Sequence, residues 1–471
     1  MGADRAVLEA INKRQKREIR DLTAANLELR EQVKTLQAAA AESATQLAEL
    51  RAQLAQALKR VEELERSSHR QAAPFRRQRR GGTGQPGRKP GFRGTYRPRP
   101  PQIDQEIEVP LAIKTCPDCQ AHLERRPLTQ IIEEIPPIRP VVTRLTTWHA
   151  TCPCCERQWH SEHELQVSSA QGAAGVHLGP RATALATILK AHFGLPFSRV
   201  AGVLQRGFGL SISRGGLSHL LHRVAGKAQA TYEELLEKIR NSRAVYADET
   251  SWYVGQPGYW LWVFTTPQYT LYHVAEGRGR AVAERILGQN FQNVLITDCA
   301  PAYAHLPCKQ HKCIAHHLRR LKELREDTRH TTYLDTCERF WKDVIALSQA
   351  RLHMDVEEYA AEYLSLKRRL ETLLTQPLRQ IGDRKFQNRM NRAQPHLLGC
   401  LEHHVEPTNN RAERAIRPAV IARKLSCGNK TPRGAHSWEI LVSHCTTLHQ
   451  QGQDLLASIG TLAAQNPMLV R

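Results

Sequence analysis

The stretch R-A-V-Y-A-D-E-T-S-W-Y-V at 243–254 decides the fold, because apolar residues flank Asp248 in a pattern typical of a β-strand. Two further apolar runs follow it, separated by Gly and Pro residues, and the three runs together predict an antiparallel meander. A helix over 280–288 then leads to N-V-L-I-T-D, a run rich in β-branched residues that ends on Asp298. After such a crossover this strand can lie parallel to the first, with Asp248 and Asp298 on neighbouring strands.

A third acidic residue, Glu413, lies in P-T-N-N-R-A-E-R-A-I-R-P at 407–418, where a polar start and a closing proline suit the first turns of a helix. Two strand aspartates and one helix glutamate can hold two Mg²⁺ ions, with Mn²⁺ as an alternative, because hard cations prefer carboxylate oxygens and leave positions open for phosphate. Such ions serve in-line phosphoryl displacement. Asp248, Asp298 and Glu413 are therefore the candidate catalytic residues and Mg²⁺ ligands. Glu249 is expected to point to the opposite face of its strand.

The composition indicates a large basic protein. The chain has 471 residues, a formal net charge of +21 and 41% hydrophobic residues. This suffices for roughly three domains. The positive charge favours a polyanionic partner, of which DNA is the obvious one, because neutralised phosphates release counterions. Neither a signal-peptide pattern nor an apolar run of roughly 20 residues is present, so we expect a cytoplasmic, nucleoid-associated protein with no membrane partner.

Residues 5–68 carry an apolar repeat typical of a coiled coil. Ile19 and Asn26 begin the series of a positions and Leu22 begins the series of d positions, and the seam keeps its register for about seven heptads. Asn26 at an a position favours one register and a small oligomer, so we expect a homodimer. A long amphipathic helix packed on its own chain is the alternative.

A basic linker follows the coil. From Arg70 to Pro101 the chain has ten Lys or Arg residues, many Gly and Pro, and no Asp or Glu. Gly and Pro oppose helix formation and the charge opposes collapse, so residues 69–105 are predicted to be disordered. Arg88 and Lys89 are candidate DNA-binding residues, because a narrow minor groove attracts Arg. A solvated tether with only generic phosphate affinity is the alternative.

Residues 106–170 contain two C-x2-C pairs separated by alternating β-type residues at 141–148. Each pair makes a tight turn that presents two thiolates, and two pairs indicate one tetrahedral, structural Zn²⁺ site on a small ribbon. The candidate ligands are Cys116, Cys119, Cys152 and Cys155. Cys154 is spare, and His149 and His160 are substitute ligands.

Residues 171–240 are predicted to be helical, with two amphipathic pieces joined by a Gly-containing turn and Ser213 as an N-cap. One interpretation is a helix-turn-helix that contacts DNA. A helical hairpin packed on the next domain fits equally well. The DNA-facing candidates are Arg214, His219, His222 and Arg223.

The predicted catalytic core spans residues 241–430. Within it, residues 318–400 have Leu, Glu, Lys and Arg at helical spacing, which predicts a helical insertion. Shielding of the site and holding of a DNA end are alternative roles for this insertion. Residues 431–471 are expected to form a C-terminal helical tail.

Several side chains accompany the acidic residues in sequence. Asn409 lies one helical turn before Glu413 and is expected to orient its carboxylate, and Asn410 favours the helix start. Cys313 and His316 have the spacing of metal ligands, and two interpretations remain. They bind a second zinc ion, or Cys313 packs in the core while His316 faces a DNA phosphate. The candidate contacts to DNA phosphates are Arg319, Arg320, Arg414 and Arg417.

Four segments around these residues resemble the core of the insertion-sequence 66 family of DDE transposases, and the resemblance covers nearly the whole chain. Members of that family also carry a leucine-rich coil, a Gly/Arg/Pro linker, a C-x2-C zinc segment and a C-terminal tail. The four segments are Y-A-D-E-T at 246–250, L-I-T-D-C-A-P-A-Y at 295–303, C-I-A-H-H-L-R-R at 313–320 and N-N-R-A-E-R-A-I-R-P at 409–418. Two departures are Thr408, where the family usually has Asp, and A-P-A-Y at 300–303, where it usually has Gly-Tyr-x-x-Tyr.

The resemblance implies a multidomain α/β protein with a ribonuclease-H-like catalytic core, whose triad positions are Asp248, Asp298 and Glu413. It also implies Mg²⁺-dependent cleavage of element ends and strand transfer into target DNA. The expected partners are terminal inverted repeats, target DNA, a second copy of the chain and accessory proteins encoded by the same element.

Two other functions fit parts of the sequence. A non-catalytic zinc and coiled-coil DNA-binding regulator explains the charge, the cysteines and the coil, but leaves the three acidic residues unexplained. A nuclease or resolvase on the same fold would hydrolyse DNA without joining it.

Overall fold

The computed structural model describes residues 2–69, 97–124, 126–161, 163–166, 175–304, 306–327 and 331–465. The chain divides into two compact units, Met1–Thr95 and Tyr96–Arg471. No helix within these described ranges is both long enough and apolar enough to cross a membrane.

In the first unit the described residues form one helix, α1 (Gly2–His69). The helix expected over 5–68 is therefore present. Its seam is open to solvent in the single chain, with Ile19 63% and Leu36 69% exposed. The second copy that would cover this seam stays a prediction.

The cysteine segment has little regular structure. Strands β1 (His149–Thr151) and β2 (Gln158–His160) pair antiparallel. No strand forms over 141–148, where Val141 and Val142 are 91% and 92% exposed. A β-type sequence needs a partner strand for its backbone hydrogen bonds. Among the described residues only Ser161 meets this stretch, at its last residue, where its backbone N–H donates to the carbonyl of Trp148 at 2.9 Å.

A group of helices precedes the sheet, and its apolar residues share one core with the sheet. Ser213 is an N-cap as predicted, and its Oγ accepts a hydrogen bond of 3.0 Å from the backbone N–H of Gly216. Leu217 and Ile239 pack in the same cluster as Trp262 of the sheet. The packing expected of a helical hairpin is thus observed, and DNA contact by these helices stays a prediction. The helices are α2 (Pro180–Ala191), α3 (Phe197–Phe208), α4 (Arg214–Lys227) and α5 (Gln229–Arg240).

The central sheet has five strands in the order β5-β4-β3-β6-β7. The first three strands of the chain form the predicted antiparallel meander, and β6 lies parallel to β3, with β7 parallel to β6. A helix, α6 (Arg280–Leu287), supplies the crossover. The strands are β3 (Ala244–Val254), β4 (Gln256–Thr265), β5 (Thr270–Glu276), β6 (Val294–Thr297) and β7 (Lys309–Lys312).

The helical insertion has a hydrophobic core of its own, which includes the fully buried Phe340, Trp341 and Phe386. The helices expected over 318–400 are present and begin four residues earlier, at Ile314. They are α7 (Ile314–Asp327), α8 (Thr332–Ala350), α9 (Val356–Thr375), α10 (Ile381–Ala393) and α11 (Gly399–Glu402).

The remaining helices are α12 (Asn410–Ser426), α13 (Pro432–Gln450) and α14 (Leu455–Ala464). Pro418 does not close α12, contrary to the sequence-based expectation. The helix continues because Ala419 beyond the proline packs on the sheet face that carries Tyr246 and Ile296, so burial outweighs the lost backbone hydrogen bond.

Helix α13 covers the edge strand β5, whose backbone N–H groups would otherwise lack partners. A helix advances about 6 Å over four residues, and a strand advances about 6.6 Å over two residues. Side chains four residues apart on α13 can therefore bond to every second backbone N–H of β5. The three contacts are Glu439 Oε2 with Val274 N at 2.6 Å, Ser443 Oγ with Tyr272 N at 2.8 Å, and Thr447 Oγ1 with Thr270 N at 3.1 Å.

Candidate catalytic site

The register of the parallel pair brings the two aspartates together. Tyr246 of β3 pairs with Ile296 of β6, and the same register continued by two residues sets Asp248 beside Asp298, directly after β6 ends. Residues two apart on a strand share a face. The predicted parallel pairing of the two strands is therefore confirmed, and Asp298 lies one residue beyond the end of β6.

The start of α12 brings the third acidic residue to the same strand. The side-chain amide of Asn409, which is fully buried, donates a hydrogen bond of 2.8 Å to the carbonyl of Ala247, one residue before Asp248. The carbonyl of Asn409 accepts the backbone N–H of Glu413 at 3.1 Å and so begins the helix. Asn409 therefore holds the helix against β3, and its amide does not donate to the Glu413 carboxylate as the sequence suggested.

Asp248 lies in a buried, acidic environment. Burial raises the pKa of Asp248 to about 7, and the charges of Glu249, Asp298 and Glu413 add to this rise. A hydrogen bond of 2.9 Å from the backbone N–H of Glu249 to Asp248 Oδ1 opposes it. The Oε1 atom of Glu413 is buried without a hydrogen-bond partner.

This donor set fits a divalent cation by its chemistry. Asp248 has a pKa raised by burial and by neighbouring carboxylates, and Glu413 has a buried carboxylate oxygen without a hydrogen-bond donor. A bound cation would stabilise both groups. Among the residues that the structure describes, no three His, Cys, Asp or Glu side chains are grouped closely enough to hold one metal ion. The three carboxylates therefore share an electrostatic environment without forming a closed set of ligands.

Glu249 lies on the opposite face from Asp248, as predicted. Its carboxylate accepts a hydrogen bond of 2.5 Å from the Tyr303 hydroxyl and one of 2.7 Å from Arg278 Nε. Tyr303 follows Asp298 in the chain and Arg278 follows β5, so the buried Glu249 and Tyr303 and the exposed Arg278 connect three segments at the carboxyl edge of the sheet. Tyr303 belongs to the A-P-A-Y segment, which differs from the usual family pattern, and that difference was the only sequence signal for it. No sequence signal pointed to Arg278.

Comparison with known proteins assigns the family. The model of the Transposase IS66 family matches residues 175–437, which contain the whole sheet and all three acidic residues. The chain belongs to the IS66 family of transposases. The resemblance seen in the four sequence segments is thereby confirmed.

A curated relative of this IS66 family member is the uncharacterized protein y4qI of Sinorhizobium fredii. It is 23% identical over 305 residues, which cover 56% of this chain and 55% of the relative. The chain thus spans about half the length of the curated relative that it matches.

Helix α7 of this IS66 family member lines the site beside Glu413. His316 Nε2 lies 3.6 Å and Arg319 Nη2 lies 3.8 Å from Glu413 Oε1. Burial lowers the pKa of His316, so the imidazole is neutral near pH 7. Cys313 is buried, and its Sγ accepts the backbone N–H of Asn409 at 3.0 Å. The packed-cysteine interpretation of Cys313 agrees with this contact.

The candidate DNA-contacting residues lie in different places. Arg88 and Lys89 are outside the described residues. Arg214 is exposed at the start of α4, and Arg320 pairs with Glu323 at 2.9 Å.

Arg414 and Arg417 are exposed on α12, close in sequence to Glu413. Among the helical residues proposed to face DNA, His222 instead contacts Ser437 of α13 at 2.7 Å.

The two C-x2-C pairs form matching turns. Cys116 N donates to Ala121 O at 2.9 Å and Cys152 N donates to Arg157 O at 2.8 Å. The residue after each pair has a positive φ, 61° at Gln120 and 57° at Glu156. This repeated geometry is that of a turn whose N–H groups face a sulfur atom.

The chemistry of the cysteines follows from these turns. Backbone N–H groups of the second half of each turn lower the pKa values of Cys116 and Cys152, which favours the thiolate form that binds metal. The four thiols do not gather around one point in the described part of the segment. The zinc site stays a prediction.

One buried cation beside Asp298 was missed at the sequence level. Lys312, at the end of β7, is 3% exposed and donates a hydrogen bond of 2.9 Å to Thr297 Oγ1. Burial lowers its pKa, and the nearby Cys299 and Asp298 side chains oppose that fall. The sequence of this short polar strand does not indicate that its lysine is buried. The burial of Lys312 follows only from the tertiary structure.

Proposed function

We propose that this IS66 family member is a DDE-type DNA transposase on a ribonuclease-H-like core, with Asp248, Asp298 and Glu413 as its triad. The observation that carries the proposal is the setting of Asp248, whose pKa is raised to about 7 by burial and further by the charges of nearby acidic groups, Asp298 and Glu413 among them, although the three come from separate elements. The order of the five strands, with a meander followed by two parallel strands, supports the core type.

The triad would hold two Mg²⁺ ions, which when bound would activate the attacking oxygen and stabilise the leaving oxygen of an in-line displacement. The unpartnered Oε1 of Glu413 supports its role as a ligand. Asp248 must lose its proton before it can bind a cation, because a protonated carboxyl is a poor ligand. The buried contact of Asn409 with Ala247 would keep Glu413 within reach of Asp248.

Positive side chains around the triad would bind DNA. Arg319, at 3.8 Å from Glu413, and the exposed Arg414 and Arg417 lie close to the triad in space or in sequence. Contacts to phosphates supply affinity without reading sequence. The substrates would be the terminal inverted repeats of the element and target DNA, in keeping with a net charge of +21.

The outlying segments would organise these substrates. The exposed seam of α1 would pair two protomers, so that two element ends are held in one complex. A structural Zn²⁺ would join the turns at Cys116 and Cys152 into a small domain over 106–170. Accessory proteins encoded by the same element are further proposed partners.

The test is a reaction on the natural DNA of the gene. The purified full chain is incubated with Mg²⁺ and a supercoiled plasmid that carries the gene with its flanking DNA on both sides. We expect nicks at the element ends and joint molecules in which a 3′-OH end is linked to target DNA. Cleavage without joining would favour a nuclease or resolvase, and DNA binding without cleavage by the folded protein would favour a regulator.

A further inference from the structure

The helical insertion reaches the edge of the catalytic site through an aromatic stack. Fully buried His317 of α7 lies against Trp341 with ring centroids 4.9 Å apart, and the Phe386 ring of α10 meets it edge-on at 6.3 Å. On its other side, His317 Nε2 lies 3.7 Å from the Sγ atom of Cys299. Cys299 directly follows Asp298, so His317 connects α10 to the residue next to Asp298.

Arg389 lies on the same face of α10, three residues after Phe386. Its Nε atom is buried and has no hydrogen-bond partner. The neighbouring Phe386 and Met390 are both fully buried, so the helix face that carries the arginine is fixed by packing.

The charge of Arg389 changes the pKa values of His317 and Cys299, two side chains near Asp298. Burial lowers the pKa of His317 to about 3, and Arg389 lowers it further. Burial raises the pKa of the Cys299 thiol, and Arg389 opposes that rise. The guanidinium group therefore lies close to both side chains, and it forms a hydrogen bond with the side chain of Cys299.

The guanidinium of Arg389 is half-buried, so a directly paired anion would stabilise it. Arg389 forms no ion pair with any residue in the described part of the chain. Partial burial of a cation is unfavourable unless an anion pairs with it directly, and a guanidinium binds a phosphate with two parallel hydrogen bonds. A phosphate group of the substrate would supply the anion that pairs with Arg389.

We propose that Arg389 binds a DNA phosphate beside Asp298, so that the helical insertion supplies a substrate-binding residue to the catalytic site. This rests on the proposed transposase function and extends it, because it assigns the insertion a ligand, a phosphodiester group. Arginine suits this role better than lysine because its planar group fits two phosphate oxygens at once.

The first test compares Arg389→Gln with Arg392→Gln, which removes an equal charge from an exposed position on the same helix. In single-turnover cleavage of the element-end plasmid we expect Arg389→Gln to be slower by about 10²-fold, the usual effect of removing one donor to transition-state charge. Arg392→Gln should stay within about two-fold of wild type and Arg389→Lys should fall between, because it keeps the charge and loses the fork. Matching thermal unfolding curves establish that all variants are folded.

The second test does not need cleavage. A short DNA duplex, at a concentration that saturates binding without divalent metal, should slow alkylation of Cys299, measured by mass spectrometry. This protection should disappear in Arg389→Gln and persist in Arg392→Gln.

The outcomes separate the two proposals. Arg389-dependent protection in a chain that never cleaves DNA would support the phosphate contact and count against the transposase function. Wild-type cleavage and protection by Arg389→Gln would overturn the phosphate contact and leave the transposase function standing. Unprotected Cys299 in saturated wild-type protein would also overturn it.

Discussion

The side-chain amide of Asn409 donates a hydrogen bond of 2.8 Å to the carbonyl of Ala247, and this contact joins the first turn of α12 to the middle of β3. It sets Glu413, four residues later, against the strand that carries Asp248. The two residues are 162 positions apart in the chain, so the contact is a product of tertiary structure alone.

We expect Asn409→Ala to weaken both stability and cleavage. The change leaves the buried carbonyl of Ala247 without a donor, which costs about 1–3 kcal/mol in the free energy of unfolding. Cleavage should fall further than stability predicts, because the start of α12 is no longer held. Asn410→Ala, at the exposed neighbouring position, is the control for urea unfolding and cleavage assays. Equal effects of both changes would contradict the role of Asn409.

We expect Asp248→Asn to abolish cleavage and joining while DNA affinity stays within a few-fold of wild type. The substitution removes a proposed metal ligand and no phosphate contact. Asp355→Asn, at the exposed residue before α9 whose side chain makes no capping hydrogen bond, is the matched control and should remain active. The measurements are plasmid cleavage and fluorescence anisotropy with labelled DNA. A parallel loss of DNA affinity would count against Asp248 as a metal ligand.

The stability of the metal-free protein should fall as pH rises through the titration of Asp248. Burial raises the pKa of this carboxyl from 3.8 to about 7, so between these values the folded chain holds a proton that the unfolded chain has lost. The free energy of unfolding therefore decreases with rising pH in this window. Asp248→Asn should gain stability relative to wild type between about pH 5 and about pH 8 in thermal melts with EDTA. A gain that does not change with pH would contradict the raised pKa.

Removal of zinc should unfold residues 106–170 without melting the catalytic core. The two turns at Cys116 and Cys152 have few other contacts, so metal binding would supply most of their folding free energy. We expect one zinc per chain by elemental analysis, loss of zinc in Cys119→Ser, and retention in Cys154→Ser. Hydrogen exchange after chelation should rise only in this segment. Joint melting of the segment and the sheet would mean that they fold as one domain.

The seam of α1 should hold a homodimer. Leu29→Lys sets a charge at a d position, where it would be buried against the second copy, and should convert the dimer to a monomer. Leu27→Lys is the matched control, because Leu27 is just as exposed in the single chain and lies outside the a and d positions. Light scattering after size-exclusion chromatography gives the mass. Dissociation by both changes, or by neither, would contradict the predicted register.

Local patterns were enough to predict the elements that carry the acidic residues. The apolar pattern at 243–254 and the β-branched run at 293–298 contain the strands β3 and β6, and Ser213 is a helix cap, because strand and cap preferences act over a few residues. The turns at the cysteine pairs also follow from local sequence. The end of α12 was not predictable, because the packing of Ala419 on the sheet overrides the proline at 418.

The sequence by itself determined the family, the three acidic residues and the direction of the strands that carry two of them. Only the tertiary structure decided which side chains meet at the site. Tyr303 and Arg278 hold Glu249 on one face of β3, and Arg389 reaches the neighbourhood of Asp298 from a separate helical domain. These contacts join residues far apart in the chain, so their existence depends on how packed helices and strands lie against one another, which no local pattern encodes.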